Sequence, residues 1–136
     1  MRVVVDSNVI LDVLQNRQPF VSYSSKVLRL AETNRIMAYI TANSITDIYY
    51  ILRRFLRDKE KLYTSMETLL QLIRIINVTA EDVRSAFHPY VVNFEGELIS
   101  VCAEREKMDY IITRNTKDFL ESSVQAIAPE DFLRIL

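Results

Sequence analysis

The sequence predicts an α/β domain in which a mostly parallel sheet of about five strands lies between two layers of helices. Three observations support this fold class. Short runs rich in β-branched residues recur, helical segments separate them, and the runs lack the polar–apolar alternation of a sheet with one solvated face. Such alternation of strands and helices is typical of a three-layer α/β/α sandwich. The predicted strands cover residues 2–5, 36–40, 73–78, 110–113 and 124–127.

Amphipathic helices are predicted between these strands. In residues 44–57 the apolar side chains recur at i, i+3, i+4 and i+7, the spacing of a helix with one buried face. Similar patterns predict helices over 22–34 and 95–107, and two more around 62–73 and 83–87. No linker, repeat or low-complexity segment interrupts the chain, so we expect a single domain over residues 1–136.

The composition excludes several kinds of site. One cysteine excludes an internal disulfide and a multi-cysteine metal site, and one histidine excludes the two-histidine zinc motifs. A single glycine, Gly96, is incompatible with a G-x-G-x-x-G turn or a P-loop. Acidic residues outnumber basic ones by 18 to 17, so any nucleic-acid binding requires a local basic patch. No apolar run approaches the roughly 18 residues of a membrane span, and we expect a cytoplasmic protein.

Polar residues follow two predicted strands directly. Near its start the chain reads VVVDSNVILDVL, in which Asp6 and Asn8 follow three valines. In DYIITRN, Thr113 is the last residue of the predicted strand and Asn115 comes two residues after it. Ligands bind outside the carboxyl ends of strands in open parallel sheets, so these residues lie where sites form. Asp6 is equally suited to capping the first helix. Asp12, six positions further on, is expected to be an ordinary solvated acid.

Other acids have structural and functional interpretations. Asp47 belongs to a polar stripe on helix 44–57, which is either a solvated face or directs this carboxylate towards Asp6. Glu95 and Glu97 suit the positive end of a helix capped by Asn93, and their spacing points them in nearly opposite directions. Asp118 is either a surface residue or part of a site.

Oxygen atoms are the only plentiful metal ligands in this composition. Carboxylates that converge on one point repel one another unless a hard cation such as Mg²⁺ or Mn²⁺ neutralises them. Such an ion lowers the pKa of bound water and supports attack on a phosphodiester without a protein nucleophile.

Three segments resemble the PIN-domain family: VVVDSNVILDVL, TANSITDIYYILRR and DYIITRNTKDF. Their order and separation also fit, and the likeness extends over essentially the whole chain. The resemblance implies a PIN-like fold and a Mg²⁺- or Mn²⁺-dependent endonuclease acting on single-stranded or structured RNA. Many small bacterial and archaeal members are VapC-like toxins, usually dimeric and neutralised by an antitoxin protein. We therefore expect RNA, an antitoxin and a second copy of the chain as partners.

The resemblance also implies roles for individual residues. Asp6 matches the family's first metal-binding acid, and Asn8 matches the Asn of its D-x-N opening. Asp47 stands where the family has an acid on the helix after the second strand. Asp12 matches a second acid that is common in the first helix of this branch.

Two family acids are missing from this chain. Close relatives tend to read D-F-E-D-A-L where this chain reads NFEGEL, so the third acid falls on Gly96, while Glu95 matches the inner acid and Glu97 is an extra one. The fourth acid falls on Asn115, with Asp118 three residues later. Fewer carboxylates bind a hard cation more weakly.

We therefore hypothesise a weak or loosely metal-bound ribonuclease. Asp6 is its principal catalytic and metal-binding residue, and Asp47, Glu95 and Asp118 help it. The supporting residues are Asn8, Thr113, Asn115 and Glu97. The alternative is a degenerate PIN-like module that binds RNA or a protein partner without cleaving.

Basic and aromatic residues suggest binding surfaces. Arg114 and Lys117 flank the last site segment and are candidates for phosphate binding. If Tyr50 and Phe55 are exposed, they predict a dimer or antitoxin surface. The single histidine and the single cysteine, His88 and Cys102, are interpreted as structural.

Overall fold

A computed structural model describes residues 1–136 and contains five strands and seven α-helices. The strands are β1 Arg2–Val5, β2 Met37–Thr41, β3 Arg74–Ile76, β4 Tyr110–Ile112 and β5 Ala126–Ile127. The helices are α1 Ser7–Leu14, α2 Val21–Glu32, α3 Ala42–Leu56, α4 Lys59–Leu72, α5 Ala80–Ala86, α6 Phe94–Arg105 and α7 Pro129–Ile135. One turn of 3₁₀-helix, Thr116–Phe119, follows β4. None of the helices has the length and apolar character that a membrane span requires.

The five strands form one parallel sheet in the order β3-β2-β1-β4-β5. The central strand β1 pairs on both sides: Val3 lies opposite Ala38 of β2 and Tyr110 of β4. From β1 the chain adds β2 and then β3 on one side of the sheet. It then crosses to the other side of β1, where it adds β4 and then β5. The strand order therefore switches between β1 and β4, and such a switch leaves a crevice at the carboxyl ends of the strands.

Two apolar cores confirm the predicted three layers. Successive side chains of β1 point to opposite faces of the sheet. Val3 and Val5 belong to a cluster of 20 buried residues under α1, α2, α3, α4 and α7. Val4 belongs to a cluster of 12 under α5 and α6. Because both faces of the sheet are covered, its strands are apolar throughout, which explains why they lack alternation.

The observed elements differ from the predicted ones mainly at their ends. The helix predicted over 44–57 runs from Ala42 to Leu56, and Arg57 ends it in the left-handed region with φ 55°. The strand predicted over 73–78 is only Arg74–Ile76, because Ile73 still bonds to the α4 carbonyl of Leu69. Helix α7 was not predicted, since its seven residues hold little more than one apolar turn.

An ion pair between the buried Asp82 of α5 and the exposed Arg105 of α6 joins the two helices. The Asp82 carboxylate accepts hydrogen bonds from Arg105 Nε at 3.0 Å and from Arg105 Nη2 at 2.9 Å, and forms a capping box with Thr79. Cys102 lies against it, with Sγ 3.6 Å from Asp82 Oδ2. Burial raises the pKa of the Cys102 thiol to about 11, so it stays protonated at neutral pH. This geometry agrees with the structural role predicted for Cys102.

The Asp82–Arg105 pair predicts an acid-labile contribution to stability. The hydrogen bonds from Arg105 lower the pKa of Asp82 from 3.8 to about 2. Because the pKa is lower in the folded state, this stabilisation is complete above about pH 4 and is lost as the pH falls towards 2. We expect it to be about 2 kcal/mol, at about 1.4 kcal/mol per pKa unit.

Urea unfolding between pH 5 and about pH 2.5 measures this contribution. Wild-type protein should lose about 2 kcal/mol more than Asp82→Asn across that range. The exposed Glu81→Gln on the same helix should behave as wild type. Equal losses in wild type and Asp82→Asn would contradict the prediction.

Candidate active site

A polar cleft of about 170 Å³ opens at the switch between β1 and β4. Residues from four parts of the chain line it: the start of α1, the start of α6, the loop after β4 and the 3₁₀ turn. The predicted site residues among them are Asp6, Asn8, Glu95, Asn115 and Asp118. The sheet topology thus brings together residues that lie more than a hundred positions apart in the sequence.

Asp6 both caps α1 and faces the cleft. Its extended backbone, with φ −71° and ψ 150°, lets Oδ1 accept a hydrogen bond from the Ser7 backbone N–H at 2.8 Å. Oδ2 accepts from Thr113 Oγ1 at 2.8 Å and from Asn8 Nδ2 at 3.2 Å. The two interpretations of Asp6 left open by the sequence are therefore compatible, and three hydrogen-bond donors define the orientation of its carboxylate.

Asn8 and Thr113 connect Asp6 to the loop after β4. Asn8 Oδ1 accepts from the Arg114 backbone N–H at 3.3 Å, and Thr113 Oγ1 accepts from the Asn115 N–H at 3.0 Å. Thr113 is fully buried and Asn8 is half-buried. These two side chains position Asp6 and the loop relative to each other.

The acids around the cleft repel one another. Burial raises the pKa of Asp6, and the charge of Asp118 adds to the rise against the hydrogen bonds from Thr113 and Ser7. Partial burial raises the pKa of Glu95 as well, followed by the charges of Asp47 and Asp6. The cleft therefore concentrates negative charge, and a cation bound there would relieve this repulsion.

The donor set suits a hard divalent ion held by few protein ligands. Its side chains offer carboxylate and amide oxygens, which Mg²⁺ and Mn²⁺ prefer. However, no three acidic, histidine or cysteine side chains lie close enough together to hold one ion. Asp47 is exposed and is not among the residues that line the cleft. The residues fit an ion that takes most of its ligands from water or from a substrate phosphate.

A family model described as the PIN domain matches residues 2–117. The chain belongs to the PIN-domain family. It is also 26% identical over 136 residues to ribonuclease VapC1 of Aquifex aeolicus, a match that covers 96% of this chain and 92% of that protein.

Solved structures share this PIN-domain fold. VapBC2 of Rickettsia felis, bound to a DNA fragment from its promoter, matches with a TM-score of 0.68 at 17% identity, over 94% of this chain and 98% of that one. A toxin–antitoxin complex of Klebsiella pneumoniae matches with 0.68 at 19%, over 93% and 97%. VapC20 of Mycobacterium tuberculosis, a toxin that cleaves the sarcin-ricin loop, matches with 0.62 at 12%, over 80% and 86%.

Gly96 lies in the wall of the PIN-domain cleft and leaves room for a side chain. Its N–H donates to Asn93 Oδ1 at 2.9 Å, which confirms Asn93 as the N-cap of α6. A Cβ atom on Gly96 would lie 3.4 Å from the Asn93 side chain and 3.5 Å from the backbone oxygen of Asp118. The backbone at position 96 therefore does not require glycine, although this chain has no carboxylate there.

Glu97 does not face this cleft. Its Oε1 lies 3.6 Å from Nε2 of His88, and both residues line an adjoining cavity that shares Asn93, Asp118 and Phe119 with the cleft. The helix thus directs Glu95 towards Asp6 and Glu97 away from it, as their spacing predicts.

Asp12 is fully buried, so its prediction as a solvated acid is wrong. Its carboxylate accepts from Arg114 Nε at 2.7 Å and Nη2 at 3.0 Å, and from Ser24 Oγ at 3.0 Å. Arg17 Nη1 lies 3.9 Å away. The sequence contains a signal of this burial: apolar residues flank Asp12 on both sides, which indicates a helix buried on most faces.

Arg114 is already engaged by this PIN domain. Besides its two bonds to Asp12, its guanidinium carbon lies 3.9 Å from the centre of the Phe20 ring. Phosphate binding by Arg114 stays a prediction, and any phosphate would meet a guanidinium fixed in place. Sequence reasoning missed Phe20, since its contact partner lies 94 positions away.

Proposed function

We propose that this chain is a Mg²⁺- or Mn²⁺-dependent endoribonuclease and the toxin of a toxin–antitoxin pair. The observation that carries the proposal is the cluster of mutually repelling carboxylates at the β1–β4 switch point. Membership of the PIN-domain family and similarity to ribonuclease VapC1 support the same reaction. The proposed site of action is the cytoplasm.

The residues of the cleft have distinct proposed roles. Asp6 is the principal metal ligand, with Glu95 and Asp118 on either side and Asp47 acting through its charge at the rim. A bound divalent ion supplies a water of lowered pKa and neutralises the phosphodiester. The raised pKa of Glu95 suits it to accept a proton from the attacking water. The hydrogen bonds from Thr113 and Asn8 hold Asp6 in position before RNA binds.

Lys117 is the proposed phosphate contact next to the cleft, since it lines the adjoining cavity that shares Asp118 with the cleft. It is exposed in the 3₁₀ turn, next to Asp118, and forms no ion pair. Arg114 reaches RNA only through the edge of its guanidinium that Asp12 leaves free. With few free cations, RNA affinity should fall only modestly with salt.

The exposed aromatic residues of α3 are the proposed protein-binding surface. Tyr50 and Phe55 are 55% and 54% exposed, which meets the condition that the sequence set for a dimer or antitoxin surface. Large exposed apolar groups commonly mark interfaces. Two of the similar solved structures are toxin–antitoxin assemblies. We propose an antitoxin and a second copy of the chain as partners.

A second candidate function is RNA or protein binding without cleavage. The lack of any three metal-binding side chains within reach of one ion favours it, together with Gly96 and Asn115 at two family acid positions. The two candidates differ in whether the bound RNA is cut.

Cleavage of labelled RNAs tests the proposal directly. A panel of single-stranded and hairpin RNAs is incubated with the protein and Mg²⁺ or Mn²⁺, beside an EDTA control. Cutting that requires the ion supports the ribonuclease. Binding without cutting, by protein whose fold is verified by circular dichroism, favours the second candidate.

Restoring a carboxylate at position 96 should tighten metal binding. The wall of the cleft has space for the side chain, and an acid in the first turn of α6 interacts favourably with the helix dipole. In Gly96→Asp we expect the metal concentration for half-maximal cleavage to fall about tenfold, because carboxylate count governs affinity for hard cations. Gly96→Asn is the matched control, with the same shape and no charge. Equal metal requirements in the two variants would mean that position 96 does not reach the ion.

A further inference from the structure

A second cavity lies beside the active-site cleft. It has a volume of about 230 Å³ and is enclosed by the start of α2, the start of α7 and the loop after β4. Its planar and charged side chains are Phe20, Tyr23, Arg114 and Glu130. None of these four side chains lines the cleft.

The cavity and the cleft lie on opposite sides of a three-residue segment. Thr113 and Asn115 face the cleft, the former bonded to Asp6 and the latter part of its wall. Arg114, between them, projects into the cavity while its backbone N–H bonds to Asn8 of the cleft. One residue of backbone therefore separates the wall of the cleft from the cavity.

Flat, rigid surfaces dominate the cavity. The guanidinium of Arg114 is fixed by two bonds to the buried Asp12 and stacks on Phe20. Phe20 and Tyr23 remain 40% and 39% exposed on adjacent turns. Aromatic rings and arginine planes are the surfaces on which proteins stack unpaired bases.

The charge of the side chains that line the cavity favours a neutral base over a phosphate as its occupant. The half-buried Glu130 carboxylate lines the cavity, with Oε1 accepting from Arg134 Nη2 at 2.7 Å, and a carboxylate in the lining disfavours a phosphate there. It would accept hydrogen bonds from the amino groups of a neutral base. Lys26 Nζ lies 5.9 Å from the centre of the Tyr23 ring, outside the lining of the cavity. Polar and apolar features of the cavity thus both suit a nucleobase.

We propose that this cavity binds one unpaired nucleobase next to the phosphodiester held in the cleft. The inference rests on the proposed function, since it assigns the neighbouring subsite of the same RNA. It makes Phe20 and Tyr23 substrate-binding residues. Arg114 then acts as a stacking plane in addition to any phosphate contact.

Binding measurements test the inference without relying on cleavage. Short single-stranded oligoribonucleotides are titrated by fluorescence anisotropy against protein carrying Asp6→Asn, so that bound RNA is not cut. Phe20→Ala and Tyr23→Ala should each weaken binding about tenfold, the effect typical of one lost stacking contact. Phe20→Trp should restore it, and Phe20→Leu, which keeps the apolar volume, should not. The steepness of the salt dependence should stay unchanged, because stacking releases no counterions.

Matched controls separate this effect from a general one. Tyr63→Ala removes a 68% exposed ring from α4, away from the cavity, and should leave affinity unchanged. An oligonucleotide that lacks the base at the subsite should bind equally to protein carrying Asp6→Asn alone and to protein that also carries Phe20→Ala. Unchanged affinity in both Phe20→Ala and Tyr23→Ala would overturn the inference.

The inference and the proposed function fail in different ways. If the wild-type chain cuts RNA and both cavity variants bind RNA normally, the nuclease stands and the base subsite is wrong. If the chain cuts no RNA but its binding depends on Phe20 and on the base, the subsite stands and the nuclease is wrong.

Discussion

Asp6→Asn is expected to abolish RNA cleavage while leaving the protein folded. Asparagine is as good an N-cap as aspartate, so α1 keeps its first hydrogen bond to the Ser7 N–H. The substitution removes the negative charge of the principal proposed metal ligand, and it replaces Oδ2, the acceptor for Thr113 and Asn8, by an NH2 donor. Removing even a residue that only hydrogen-bonds to a metal ligand typically lowers metal affinity or activity about 10- to 100-fold. For a direct ligand we therefore expect the rate of metal-dependent cleavage to fall at least about a hundredfold.

Asp58→Asn provides the control for this variant. Asp58 caps α4 by accepting from the Glu60 and Lys61 N–H groups and lies far along the chain from the cleft. Its substitution makes the same chemical change at another helix N-terminus, and it should leave the cleavage rate intact. Undiminished cutting by Asp6→Asn, in preparations purified in parallel, would indicate either a contaminating nuclease or a wrong site.

The second large effect concerns stability: Asp12→Ala should lower the free energy of unfolding by about 3 kcal/mol or more. Asp12 is fully buried and paired with Arg114, whose side chain is only 24% exposed. Removing one member of such a pair leaves an uncompensated charge, which typically costs about 3–5 kcal/mol. Ser24 also loses its acceptor. Urea unfolding of wild type and variant at neutral pH measures the difference.

The exposed pair of Glu81 and Arg84 supplies the comparison. Its side chains are 80% and 73% exposed, so Glu81→Gln should change stability by less than about 0.5 kcal/mol. A loss below about 1 kcal/mol in Asp12→Ala would mean that water replaces the carboxylate and that the pair contributes little. Any reduced cleavage in this variant would follow from the Arg114 loop, since that loop holds Asp6 through Thr113.

Local patterns in the sequence were sufficient for most of the fold. Residues 2–5 were predicted and observed as β1, because a buried parallel strand is recognisable from its own apolar run. Helix α3 was predicted to within two residues at its start, because about four turns of apolar spacing leave little ambiguity. The short α7 and the ends of β3 were missed, since pairing and packing with distant segments decide such boundaries.

The site was predictable where it depends on strand ends and less so where it depends on distant partners. Asp6 and Asn115 were placed correctly at one edge of the sheet because both follow strands. Helix geometry also separated Glu95 from Glu97. The apolar neighbours of Asp12 indicate its burial, but the partner that compensates its charge could not be read from them, since Arg114 comes 102 residues later. The Phe20 cavity was missed for the same reason.

The central position of β1 has a consequence for when the molecule becomes functional. Asp6 is translated more than a hundred residues before Thr113 and β4, which orient it. Parallel pairing of β1 with β4 must wait for that late segment. The cleft therefore assembles only after β4 has been translated, and a nascent or prematurely terminated chain that lacks β4 carries the acid without the groove that orients it. For a chain proposed to cut RNA, this delay separates its own synthesis from the appearance of its activity.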